Sequence, residues 1–140
     1  MNTKNRRVAS GAPCPCGSGR PFGACCGALL DGQREAASAR ELMRSRYTAH
    51  VLGDEPYLHR TYAKTADQPF VAGQHASPGV DWVRLVIHED APGRRPDQAF
   101  VEFSAFYRDR QGTHEMRERS EFRLVGGRWL YWDGALRKEG

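Results

Sequence analysis

Between Ser38 and Gly53 the chain alternates apolar and polar positions with a helical period. Ala39, Leu42, Met43, Arg46, Tyr47, His50 and Val51 follow the i, i+3, i+4, i+7 template. Ser38-Ala39-Arg40-Glu41 has the form of a capping box that starts the helix, and Gly53 ends it. Asp54, Glu55 and Pro56 then predict a second, short helix through Tyr62, because an acidic cap and an early proline both suit a first turn. The prolines, glycines and polar residues from Ala63 to Val80 predict a loop, with a short extended piece at Phe70-Val71.

The period then shortens to that of strands. DWVRLVIHE, QAFVEFSAFYRD, HEMRERSEFRLV and RWLYWDG are rich in β-branched and aromatic residues and are separated by the turn signals APGRRPD, RQG and GG. In the third, Met116, Glu118, Ser120, Phe122 and Leu124 share one face, and Glu115, Arg117, Arg119, Glu121 and Arg123 share the other. One face is therefore apolar enough to pack and the other faces solvent. Short connections favour antiparallel neighbours, so the reading is α+β: a curved antiparallel sheet packed on the N-terminal helices.

Length and charge narrow the classes. A chain of 140 residues suits one ordinary domain with a real core. No segment approaches the ~20 apolar residues of a membrane-spanning helix, and MNTKNRRVASGAP lacks the apolar stretch of a secretory signal, so a cytoplasmic protein with reduced thiols is expected. The 21 basic and 17 acidic residues leave +4, a mild bias that names no partner.

All four cysteines lie in one glycine-rich stretch, CPCGSGRPFGACCG. Cys14 and Cys16 form one close pair, and Cys25 and Cys26 form a second after eight residues, which suits a chain that doubles back around a tetrahedral ion. Four thiolates suit structural Zn²⁺, because they leave no open position for a substrate. Gly17, Gly19, Gly23 and Gly27 allow tight turns and amides aimed at sulfur, and Arg20 offsets part of the negative charge. Two disulfides or four free thiols are the alternatives; a reducing compartment and the adjacency of Cys25 and Cys26 disfavour them.

CPCGSG followed by Phe22-Gly-Ala-Cys-Cys-Gly resembles the SEC-C zinc motif, known from the tail of the SecA translocation ATPase, with Phe22 at the motif's aromatic position. With L42-M-R-S-R-Y47, V101-E-F103, E118-R-S-E-F122 and G127-R-W-L-Y-W-D-G134 behind it, the chain from Cys14 to about Leu136 resembles the YchJ family. That resemblance implies a zinc knuckle over residues 14–32, after a flexible basic tail at 1–13, and a cone domain of the nuclear transport factor 2-like fold over 33–140. A closed four-cysteine site beside a domain without a legible catalytic set leads to the expectation of a non-enzymatic adaptor, whose knuckle presents Arg20, Pro21 and Phe22 to a protein partner or, as the resemblance to SecA suggests, to a ribosomal surface.

A second reading uses the pocket that such cones often enclose, as a small-ligand binder or an isomerase- or hydratase-like enzyme. Glu118 and Ser120 on the inward face, Tyr47 on the helix, and Glu102 or His88 are its candidate residues. Against catalysis, Glu118 is expected to pair with Arg44 or Arg46, and the histidines at 50, 59, 75, 88 and 114 suggest no cluster. Trp129, Tyr131 and Trp132, with Arg128 and Arg137, admit a weak nucleic-acid contact by stacking, to which the tail residues Lys4, Arg6 and Arg7 would add. Aromatics at strand spacing more ordinarily serve a core or a homodimer interface.

Overall fold

The computed structural model describes residues 8–136; the tail residues Lys4, Arg6 and Arg7, and Arg137, lie outside the described residues. A 3-10 turn at Phe22–Ala24 leads into α1 (Cys26–Leu30), followed by α2 (Ala39–Leu52) and α3 (Glu55–Arg60). Four strands come next, β1 (Asp81–Pro92), β2 (Gln98–Asp109), β3 (Gly112–Val125) and β4 (Arg128–Leu136). They pair in sequence order as an antiparallel meander.

The caps of α2 act as their residue types require. Ser38 Oγ accepts from the Glu41 amide at 3.1 Å, and Glu41 Oε1 accepts from the Ala37 amide at 3.0 Å. Gly53 closes the helix in the left-handed conformation at φ 72°, which any side chain would strain. Helix α3 is shorter than its sequence suggests. After Arg60 the backbone turns to pair with β4, Tyr131 N donating to Thr61 O at 2.8 Å and Ala63 N to Tyr131 O at 2.9 Å. The extended piece at Phe70-Val71 forms no strand, since no backbone partner runs beside it; both residues are largely exposed.

The apolar stripe of α2 lies on the inner sheet face. Leu42, Met43, Tyr47 and Ala49 are buried in one cluster with Leu85, Val101, Phe103, Ala105 and Phe122. The register sets this face in rows, Val101 beside Ser120, Phe103 beside Glu118 and Phe122 beside Tyr131. Strand alternation places Tyr131 and Trp132 on opposite faces: Tyr131 packs against Phe122, while Trp132, the extra residue of a bulge in β4, lies under the Arg123 guanidinium at 4.1 Å. Trp129 and Tyr131 both pack on the core, so the three aromatics do not form one stacking platform. The four cysteines belong to the same buried cluster, which ties the N-terminal loop to the core.

Candidate metal centre and interior cavity

The cysteine loop doubles back through main-chain bonds. Cys14 N donates to Arg20 O at 3.0 Å and Phe22 N to Ala12 O at 2.8 Å, with Pro13 bridged to Pro21. Gly17 and Gly19 turn the chain at φ 78° and 84°. Gly27 lacks a side chain because a Cβ there would press on the Phe22 carbonyl and ring. Cys14 and Cys16 are thereby set against Cys25, before α1, and Cys26, the first residue of α1.

All four thiols are buried and none is in a disulfide. Their sulfurs lie within 4.8 Å of one another, and Cys16 Sγ is 3.7 Å from Cys25 Sγ. A tetrahedron with ~2.3 Å metal–sulfur bonds has edges of ~3.8 Å, so the donor set and its spacing are compatible with a bound metal. Hydrogen bonds from Cys14 and then Cys26 hold the Cys16 thiol far below its ordinary range, while bonding to Cys16 raises Cys14 and bonding to Cys14 and then Cys16 raises Cys26. Amides of Cys16 and Cys26 point at Cys14, and that of Ser18 at Cys16. Ser18 Oγ lies 3.2 Å from Cys25 Sγ and Thr48 Oγ1 3.9 Å from Cys14 Sγ.

Helix α2 carries the loop on one side and a cavity on the other. Toward the loop, Arg44 donates to Cys16 O at 2.8 Å. Toward the sheet, Met43, Arg46, Tyr47 and His50 enclose about 230 Å³ together with Trp82, Phe103, Ala105, Met116, Glu118, Ser120 and Tyr131. Of the expected pocket residues, Glu118, Ser120 and Tyr47 meet here. Glu102 and His88 do not, because strand alternation turns Glu102 to the other face, where it pairs with Arg117 at 2.8 Å, and His88 bonds Ser104 Oγ at 2.8 Å. The reading from sequence named neither His50 nor Trp82 for the cavity; His50 was legible there only as a member of the apolar helix stripe.

The expected ion pair of Glu118 with Arg44 or Arg46 is not formed. Arg44 is engaged by the Cys16 carbonyl, and Arg46 Nη1 by Leu58 O at 2.9 Å and Thr61 Oγ1 at 2.7 Å, with the guanidinium 4.9 Å over the Tyr131 ring. Burial pushes Arg46 down to about 10, which leaves it charged at neutral pH. Glu118 Oε2 instead accepts from Ser120 Oγ and from the Tyr131 hydroxyl at 3.1 Å. Burial, then the Glu118 charge, holds the Tyr131 phenol well above its usual range. Burial also pushes His50 down to about 3, with Arg46 reinforcing it, so a neutral imidazole faces the cavity at physiological pH.

Elsewhere the fold joins residues distant in sequence. His59 Nδ1 and His75 Nε2 are 3.0 Å apart, and His59 Nε2 donates to Gln68 O at 2.7 Å, which fastens the long loop to α3. Among the described residues, the cysteines are the group of metal-binding side chains close enough to share an ion. No helix of the described residues is long and apolar enough to cross a membrane.

Comparison with known proteins agrees with both halves of the chain. Residues 38–134 match the family model described as the middle, nuclear transport factor 2-like domain of YchJ, and residues 12–28 match the SEC-C motif. A UPF0225 protein of Deinococcus radiodurans is 41% identical, with 88% of each chain covered, and one of Cupriavidus metallidurans is 38% identical, with 99% of each covered. A SEC-C motif-containing protein of Rhodopseudomonas palustris, known from a solution structure, superposes with a TM-score of 0.79 at 32% identity, covering 91% of this chain and 100% of that one. With a cone domain and a four-cysteine loop in this order, and relatives this similar over most of their length, the chain belongs to the YchJ-like UPF0225 family of SEC-C motif proteins.

Proposed function

We propose that this protein binds a small molecule in the cavity between α2 and the sheet, and that its cysteine loop is a structural zinc knuckle bracing α2 from the other side. The observation that carries the reading is Glu118: it lines an open cavity and is held by two hydroxyls rather than by an arginine. Carboxylates withdrawn from water are ordinarily paired with a cation or a metal, so one held by hydroxyls alone at a cavity wall is a candidate binding group. Glu118 Oε2 is already occupied by two hydroxyl donors, so Glu118 acts as a binding group more readily than as a general base, and this reading is non-enzymatic. The closed set Cys14, Cys16, Cys25 and Cys26 would supply zinc's folding contribution and no catalytic position. A four-thiolate zinc site requires reduced thiols, which agrees with a reducing compartment, the cytoplasm.

Ligand-observed NMR against a fragment library, run on the intact protein and on Ala105→Phe, tests the cavity. Ala105 lines it and a phenyl group would fill it. Fragments that bind both proteins equally, or none that bind either, would end the proposal.

The adaptor reading has its own observation: Arg20 and Pro21 are exposed at the tip of the knuckle, while Phe22 is half-buried above Gly27. Those residues would meet a protein or ribosomal partner. Affinity capture with intact and Cys25→Ser protein tests this reading, and identical recovered partners would remove the knuckle from it.

A further inference from the structure

The two charged groups of the cavity do not meet, and each leaves hydrogen-bonding capacity unused. Arg46 is 9% exposed, yet only its Nη1 is bonded; Nε and Nη2 have no partner among the described residues. Glu118 uses Oε2 for both hydroxyls and has no partner on Oε1 among the described residues. Both side chains line the same space, make no direct ion pair, and balance each other's charge. Much of the rest of the wall is rings and thioethers, among them Tyr47, Trp82, Phe103, Met43 and Met116, and Trp82 Nε1 is a buried donor with no partner among the described residues.

From this arrangement we infer that the cavity takes an uncharged, planar molecule of about one ring, carrying a carbonyl beside an N–H, as in a carboxamide or a lactam. The inference rests on the cavity being a ligand site. The carbonyl accepts from the free guanidinium N–H groups of Arg46, and the N–H donates to Glu118 Oε1. A cavity of ~150 Å³ already holds benzene, so about 230 Å³ suits a substituted ring. Aromatic walls give such a ring offset or edge contacts. A net charge on the ligand is disfavoured because the two protein charges already cancel, and a third charge would be desolvated without its own counter-ion. Gly134 maintains the acceptor end: a Cβ there would overlap Glu118 Oε2 and the Tyr131 hydroxyl.

Benzamide, benzoate and benzylamine share a size and differ in charge, and titrating each into the full chain by heteronuclear NMR tests the inference. Benzamide is expected to bind at least about tenfold more tightly than either ion, with shifts at the Trp82 indole and the Met116 methyl. Glu118→Gln keeps the shape but leaves Arg46 unbalanced, so the preference should turn toward benzoate by about tenfold. Gly134→Ala, which disturbs the carboxylate from outside the cavity wall, should weaken benzamide alone. Benzoate or benzylamine binding best to the unaltered protein would overturn the ligand class and leave the cavity as a site. Equal binding of all three would overturn the class as well, and binding by none would overturn both the class and the site.

Discussion

Single residues decide the polar end of the cavity. At Gly134 the missing side chain is what admits the Glu118–Tyr131 contact, since an added Cβ would overlap both. Gly134→Ala should therefore push the Glu118 carboxylate and the Tyr131 hydroxyl aside and destabilise the protein by about 1 kcal/mol, the low end for overpacking, measured by urea denaturation. A change below a few tenths would show that Glu118 moves aside freely. His50 carries a pH dependence. Its imidazole is pushed down to about 3 in the fold, against ~6.5 in an unfolded chain. Between those values the unfolded chain binds the additional proton, so the stability from a neutral His50 is complete above about pH 6.5 and is lost as the pH falls toward 3. His50→Leu should reduce the loss of stability between pH 6.5 and 5 by about 1 to 2 kcal/mol. Parallel stability profiles for the two proteins would contradict a neutral, half-buried imidazole.

At the scale of elements, α2 links the two candidate sites. One side of it meets the knuckle through Arg44 and Thr48, and the other meets the cavity through Met43, Arg46, Tyr47 and His50. Helical periodicity makes both possible, because residues three and four apart return to one face while their neighbours face away. Position along the chain is held by the caps. Ser38→Ala removes the acceptor for the Glu41 amide and should cost about 1 kcal/mol in equilibrium unfolding. No loss would mean that Glu41, which also bonds the Ala37 amide and Arg34, holds the helix start by itself. The sheet contributes through register: the pairing of Phe103 with Glu118 and of Phe122 with Tyr131 brings wall and carboxylate together from three strands.

At the scale of the molecule, the knuckle and the cone share buried surface. Gly17 approaches the Leu85 carbonyl, Arg60 donates to Leu30 O at 3.1 Å, and the cysteines lie in the core cluster. Most of that core comes from α2, α3 and the sheet, so the cone should outlast removal of the metal. Protein purified without added metal is expected to contain one zinc per chain by elemental analysis. After chelation, hydrogen exchange should accelerate across residues 12–30 and at the α2 turn carrying Arg44, while β2 and β3 keep their protection. Global unfolding on chelation would make the whole fold metal-dependent. An ordered loop in metal-free protein would remove zinc from its explanation.

Local chemistry, which depends on residues near in sequence, was readable from the chain alone. The capping box of α2, the left-handed glycine at its end, the four strands and the two cysteine pairs all rest on interactions spanning a few residues. So do the faces of β3, through Ser120 and Phe122, because strand alternation needs no knowledge of the partner strand. Tertiary structure decided what each face met. The backbone pairing with β4 ended α3 early, and the Arg123 guanidinium covered Trp132 on the outer face. Register and strand alternation sent Glu102 and His88 away from the cavity and brought His50 and Trp82 into it. The partners of Arg46 and Glu118 were also settled there, since a buried cation can be satisfied by carbonyls, hydroxyls and rings as well as by a carboxylate. Composition does not choose among these: the choice follows from which groups the packed backbone brings within hydrogen-bonding reach.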